Sequence, residues 1–159
     1  AYLTFGEGFH NFHHKFQWDY RNGIRWYDFD PGKWTIKFLS FFKLTKRIRK
    51  VDEHKILRAR FNGMKENFQF YYLKIPKKIE AVYQEKLEEI QKQANQTYDT
   101  WQKFEINFKI LKSQGFKDKF QKAAIKNKRK VLRMEYKSIL NSLSILLTSI
   151  KFDLHNTHN

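Results

Sequence analysis

Cysteine is absent from this 159-residue chain. That excludes a disulfide framework and a thiolate metal site, and it fits a reducing compartment. Long apolar runs are absent too. The most apolar stretch, Ser138 to Ile150, is thirteen residues bounded by Lys137 and Lys151 and interrupted by Asn141 and several serines. A bilayer-spanning helix needs about twenty such residues. The Phe-rich first residues contain no basic stretch leading into an apolar run, the pattern of a signal peptide. Acidic residues are few: 16 Asp and Glu stand against 32 Lys and Arg, a formal charge of +16. Such an excess attracts anions, whether nucleic acid, an anionic membrane leaflet or a phosphate-bearing substrate. Several common chemistries lack their motifs, since there is no Gly-rich phosphate loop, nucleophile elbow or His-Glu-x-x-His.

What is present is histidine in one place. Three of the six histidines fall within five residues, His10, His13 and His14. On a helix the positions i, i+3 and i+4 share a face, so the three imidazoles can converge. Neutral imidazoles suit a borderline first-row metal such as iron or zinc. Glu7, one turn earlier, can orient His10 by accepting its other ring N–H. The alternative is a surface turn that happens to be rich in histidine.

The stretch Gly6-Glu7-Gly8-Phe9-His10-Asn11-Phe12-His13-His14-Lys15-Phe16-Gln17-Trp18-Asp19-Tyr20 resembles the third histidine box of membrane fatty acyl-CoA desaturases. Its continuation, Arg21 to Trp34, resembles the bacterial Δ9 branch of that family, and the likeness fades through Lys46–Val51 and Ile56–Arg60. The resemblance implies that His10, His13 and His14 ligate iron in a di-iron centre, with no catalytic residue beyond these ligands and with Glu7 behind them. The centre would be completed by histidines from two further boxes upstream, on a scaffold of four transmembrane helices. The chain, which does not begin with methionine, is accordingly expected to be the C-terminal part of a longer enzyme, inactive alone. That enzyme would use dioxygen to introduce a double bond, at Δ9 by this likeness, into a fatty acyl thioester. There is no His-Pro-Gly-Gly haem motif, so electrons are expected from a separate donor such as cytochrome b5 or a ferredoxin.

The fold class expected is mainly α. Residues 1–62 would end the catalytic domain as an irregular aromatic loop with short amphipathic helices. Residues 63–75 would connect it to a long antiparallel helical hairpin over 76–152, and 153–159 would fray. Asn22-Gly23 and Asp30-Pro31-Gly32 mark breaks. Asp30 and Pro31 suit the cap and first turn of a helix over Lys33–Leu44. Trp34, Phe38, Phe41 and Phe42 lie on one side of it, as in a helix lying in the membrane interface. The basic residues after it (Lys43, Lys46, Arg47, Arg49, Lys50) match anionic headgroups and the cytoplasmic face.

A second helix is expected from Asp52 to about Phe61, stopped by Asn62-Gly63, with His54 exposed on it. From Pro76, apolar residues recur every three or four positions: Ile79, Tyr83, Leu87, Ile90, Ala94, Tyr98, Trp101, Phe104, Phe108, Leu111. They predict a helix of about 37 residues with a coiled-coil seam. Gly115 breaks it and Asp118 caps a second helix, whose stripe is Leu132, Tyr136, Ile139, Leu143, Leu146 and Ile150. The basic run Lys126–Arg133 is expected to be solvated. Arg21 and Arg25 suit either the phosphates of a CoA thioester or, preferentially, the nearby Asp19, Asp28 and Asp30.

Two other functions fit parts of the chain. One is a related histidine-box hydroxylase. The other is a basic helical protein that binds nucleic acid or a partner helix, which leaves residues 6–34 unexplained. Under the desaturase reading no nucleic acid is expected, and the enzyme would sit in the membrane with this portion on its cytoplasmic side.

Overall fold

The computed structural model describes residues 14–45, 48–113 and 119–157. All regular elements among them are helices: α1 (Pro31–Phe41), α2 (Glu53–Tyr72), α3 (Lys77–Ser113) and α4 (Lys119–Thr157). The chain divides into two compact units, residues 1–53 and 54–159. No described helix is long and apolar enough to cross a membrane.

The second unit is an antiparallel assembly of α2, α3 and α4. The stripe predicted on α4 is buried throughout, from Leu132 to Ile150. Along α3, Tyr83, Ala94 and Trp101 are buried, while Leu87, Ile90, Tyr98 and Phe104 pack against the core from its edge. One cluster joins Leu57 and Phe61 of α2 to Ala94, Trp101, Leu132 and Tyr136. A second, at the opposite end, joins Phe68, Ile75, Tyr83, Ile150 and Leu154. Two polar contacts fix the register of the pair. Tyr83 donates its hydroxyl hydrogen to Asp153 (2.6 Å) at one end, and Arg129 forms a two-pronged ion pair with Glu105 (2.6 and 2.7 Å) at the other.

Three expectations need correction. The helix from residue 53 does not stop at Asn62-Gly63 but continues to Tyr72. His54, Leu57, Phe61, Met64 and Phe68 recur at three- and four-residue spacings and face the core, so burial along that stripe outweighs one glycine. His54 is therefore not exposed. It is 3 % accessible, with Tyr98 and Trp101 5.6 and 6.0 Å away between ring centroids. Finally, α4 stays helical to Thr157, because Leu154 is buried and Asp153 is held by Tyr83. The predicted break at Gly115 and cap at Asp118 lie outside the described residues.

Gly63 has nothing within 4 Å of where a Cβ would stand. Gly63→Ala is thus expected to stabilise the chain by about 1 kcal/mol, the helical cost of glycine relative to alanine, read as a higher urea midpoint. The Tyr83 hydroxyl behaves differently with pH. Burial first, then the bond to Asp153 and its charge, push its pKa from 10.0 up to about 12. A raised folded pKa gives stability that is complete below pH 10 and is lost as pH climbs towards 12. Urea midpoints should fall across that window, and Tyr83→Phe should flatten the fall.

Candidate functional site

The first unit buries charge and exposes aromatic rings. Its organising group is Lys33, the one buried residue of α1. Its ammonium donates to three backbone carbonyls, Gly23 (3.1 Å), Arg25 (2.8 Å) and Asp28 (3.2 Å). Three donors meet three acceptors, so a charge only 5 % exposed is compensated in full. Asp30 works from the other side. One carboxylate oxygen caps α1 by accepting from the Lys33 amide (2.9 Å), and the other accepts from the amides of Asn22 and Gly23 (2.7 and 2.9 Å). Gly23 is required here, since a Cβ would stand 2.4 Å from that of Asp28.

A second buried pair ties the loop to the chain beyond α1. Asp19 accepts two side-chain hydrogen bonds from Arg21 (2.6 and 2.8 Å) and one from the Val51 amide (2.9 Å). Burial works to raise the Asp19 pKa, but these bonds and the guanidinium charge prevail and hold it below the usual carboxylate range. The same hydrogen bonds raise Arg21, against the effect of burial. The structural role preferred for Arg21 is therefore the one observed. Arg25 instead lies over the Tyr27 ring, 5.6 Å from its centroid.

With polar groups inside, the rings point outward. Trp18 (77 %), Trp26 (84 %), Phe38 (64 %) and Phe41 (81 %) are exposed, joined by Tyr27, Trp34, Phe42 and Leu44. Phe38 and Phe41 each meet Phe42 edge-on, at 5.1 and 5.4 Å between centroids. The helix ends at Phe41 and not at Leu44. Lys43 takes a left-handed turn (φ 58°), with its amide on Ser40 and that of Leu44 on Leu39, which closes α1 as a Schellman motif. A single unit with this much exposed ring surface presents a contact face.

Of the predicted metal ligands, His14 is described. It is exposed, at a helical turn just before the aromatic loop. Glu7, His10 and His13 lie outside the described residues. Among the described residues no group of three His, Cys, Asp or Glu side chains is placed to hold a metal. Sequence reading missed Lys33. Its signal was a lysine three residues after a helix-capping aspartate.

No family model and no solved structure matches the chain. Curated proteins do match part of it. Acyl-CoA desaturase 1 of Saccharomyces cerevisiae is 48% identical over 59 residues, covering 37% of this chain and 12% of that one. An sn-1 stearoyl-lipid 9-desaturase of Synechocystis sp. is 51% identical over 49 residues, 31% of this chain and 15% of the other. An acyl-CoA 5-desaturase of Anemone leveillei is 34% identical over 70 residues, 44% and 22%. The chain thus spans between about an eighth and a quarter of the length of these relatives, whose specificities differ. Roughly a third of this protein is homologous to the acyl-CoA and lipid desaturases, which are oxidoreductases of fatty acid metabolism.

Proposed function

We propose that this chain supplies the C-terminal part of a membrane fatty acyl desaturase, in which His10, His13 and His14 hold iron and Glu7 orients His10. The observation that carries the proposal is 48% identity over 59 residues to a yeast acyl-CoA desaturase, in a chain that contains the His-x-x-His-His pattern. Three imidazoles on one helical face suit iron. Iron bound there, with ligands from other parts of the enzyme, would supply the dioxygen chemistry that removes two hydrogens from an acyl methylene pair. A Δ9 double bond, an acyl thioester substrate and an external electron donor complete the proposal. Residues 1–62 would finish the catalytic domain and 76–152 would form an extension of it.

The chain's own residues have a definable task. Lys33 and Asp30 hold the loop over residues 22–28, which follows the histidines in the chain. The outward rings suit an apolar environment. Their basic neighbours Lys43, Arg49 and Lys50, all exposed, suit the cytoplasmic headgroup layer.

In the complete enzyme, His10→Ala, His13→Ala and His14→Ala should each abolish desaturation, scored by product fatty acids in cells that depend on it. Iron content should fall in parallel. Glu7→Ala should weaken activity about 10- to 100-fold without abolishing it. Full activity in all three histidine variants would overturn the ligand assignment. Lys33→Met keeps the side chain's length and removes its charge, leaving three carbonyls without their donor. It should lower activity and open the loop to trypsin at Arg25, while helical content changes little.

A further inference from the structure

The end of the α3–α4 pair remote from Tyr83 has a composition unlike the rest of the second unit. Between residues 103 and 133 the sequence carries eleven Lys and Arg against two carboxylates, a net +9 out of the chain's +16. One of those carboxylates, Glu105, is 8 % exposed and engaged by Arg129. It offers little to the outer cations. α2 begins level with Tyr98 and Trp101, where its His54 packs. Within this unit the pair therefore runs on beyond α2 as two helices alone. Lys103 and Lys112 on α3, and Lys122, Lys126, Lys128 and Lys130 on α4, are exposed there.

The same end exposes hydrocarbon. Ile106 and Ile110, one turn apart, are each 50 % accessible, Leu111 is 46 % and Phe120 is 87 %. We propose that this end of the hairpin is a docking surface for an anionic lipid bilayer, with the lysines in the headgroup layer and Ile106, Ile110, Leu111 and Phe120 at the acyl boundary. Charge complementarity selects an anionic partner. The choice of lipid over nucleic acid rests on two features. The exposed aliphatic side chains gain from an acyl layer and have no counterpart on a phosphate backbone. The cations are mostly lysine, which acts as a point charge on a diffuse anionic surface, where nucleic-acid readout favours the forked guanidinium of arginine. The surface is argued from the second unit alone and does not rest on the desaturase proposal.

The test is sedimentation of the full chain with vesicles of phosphatidylcholine, with or without phosphatidylserine, and separately its binding to duplex RNA. The chain should bind the phosphatidylserine vesicles more tightly. A variant carrying Lys122→Gln, Lys126→Gln, Lys128→Gln and Lys130→Gln should lose about fivefold per lysine, more than about a hundredfold together. A control with Lys77→Gln, Lys78→Gln, Lys86→Gln and Lys92→Gln removes equal charge elsewhere on the unit and should stay near wild type, since salt screens beyond about 10 Å. Leu111→Gln with Phe120→Gln should also weaken vesicle binding, without changing charge. Circular dichroism on each variant verifies that the helices persist. Equal binding by wild type and the α4 variant, an equal loss in the control, or an apolar variant that binds vesicles normally would each overturn the proposal. Tighter binding to duplex RNA than to the phosphatidylserine vesicles would transfer the surface to nucleic acid. Binding to phosphatidylcholine vesicles as tight as to those with phosphatidylserine would remove the role of the lysines and also overturn the proposal.

Discussion

An ammonium group in the interior, surrounded by three carbonyl oxygens, governs the first unit. Lys33 draws Gly23, Arg25 and Asp28 towards the start of α1, while Asp30 pulls the amides of Asn22 and Gly23 the same way. A loop rich in aromatic residues would ordinarily collapse with its rings inside. Here the buried charged residues are a lysine, an arginine and two aspartates, and Trp18, Trp26, Phe38 and Phe41 are turned outward. An isolated globule built this way would be poorly stabilised by the hydrophobic effect. Its exposed rings mark a contact face, and its hydrogen bonds keep it in shape.

The second unit follows the opposite rule. Trp101, Tyr136, Leu143 and Ile150 are withdrawn from water along a continuous seam, and two polar contacts bridge the helices beside it. Tyr83 finds Asp153 and Glu105 finds Arg129. Two such contacts, far apart along a pair of long helices, specify the register that apolar packing alone leaves degenerate. Burial of His54 against Tyr98 and Trp101 brings α2 onto the pair.

The long helices were legible because a periodicity of three and four sustained over ten apolar positions has no competing interpretation; α3 runs over 37 residues, as its spacing predicts. The extent of α2 was not. Asn62-Gly63 reads locally as a stop, and only the burial of Phe61 and Phe68 on either side of it shows why the helix carries through. His54 was misplaced for the same reason, since a short helix gives no inward face to put it on. In the first unit, Asp30 and Pro31 located the start of α1 correctly, because an N-cap is a one-turn interaction written in adjacent residues. The reach of Lys33 back to Gly23 is not local, and a lysine on an aromatic helix ordinarily reads as solvated.

The two units thus present apolar surface to their surroundings for different reasons. In the first, buried ionic groups displace the rings outward. In the second, the α3–α4 pair continues past Trp101, beyond the start of α2, and there Ile106 and Ile110, which lie off the seam, face water with lysines nearby in the sequence. Both surfaces combine hydrocarbon with positive charge, and hydrocarbon with positive charge is the combination to which an anionic bilayer is complementary. A segment homologous to acyl-CoA and lipid desaturases and a helical hairpin whose seam, by itself, specifies nothing about lipid thus carry the same combination of surface chemistry.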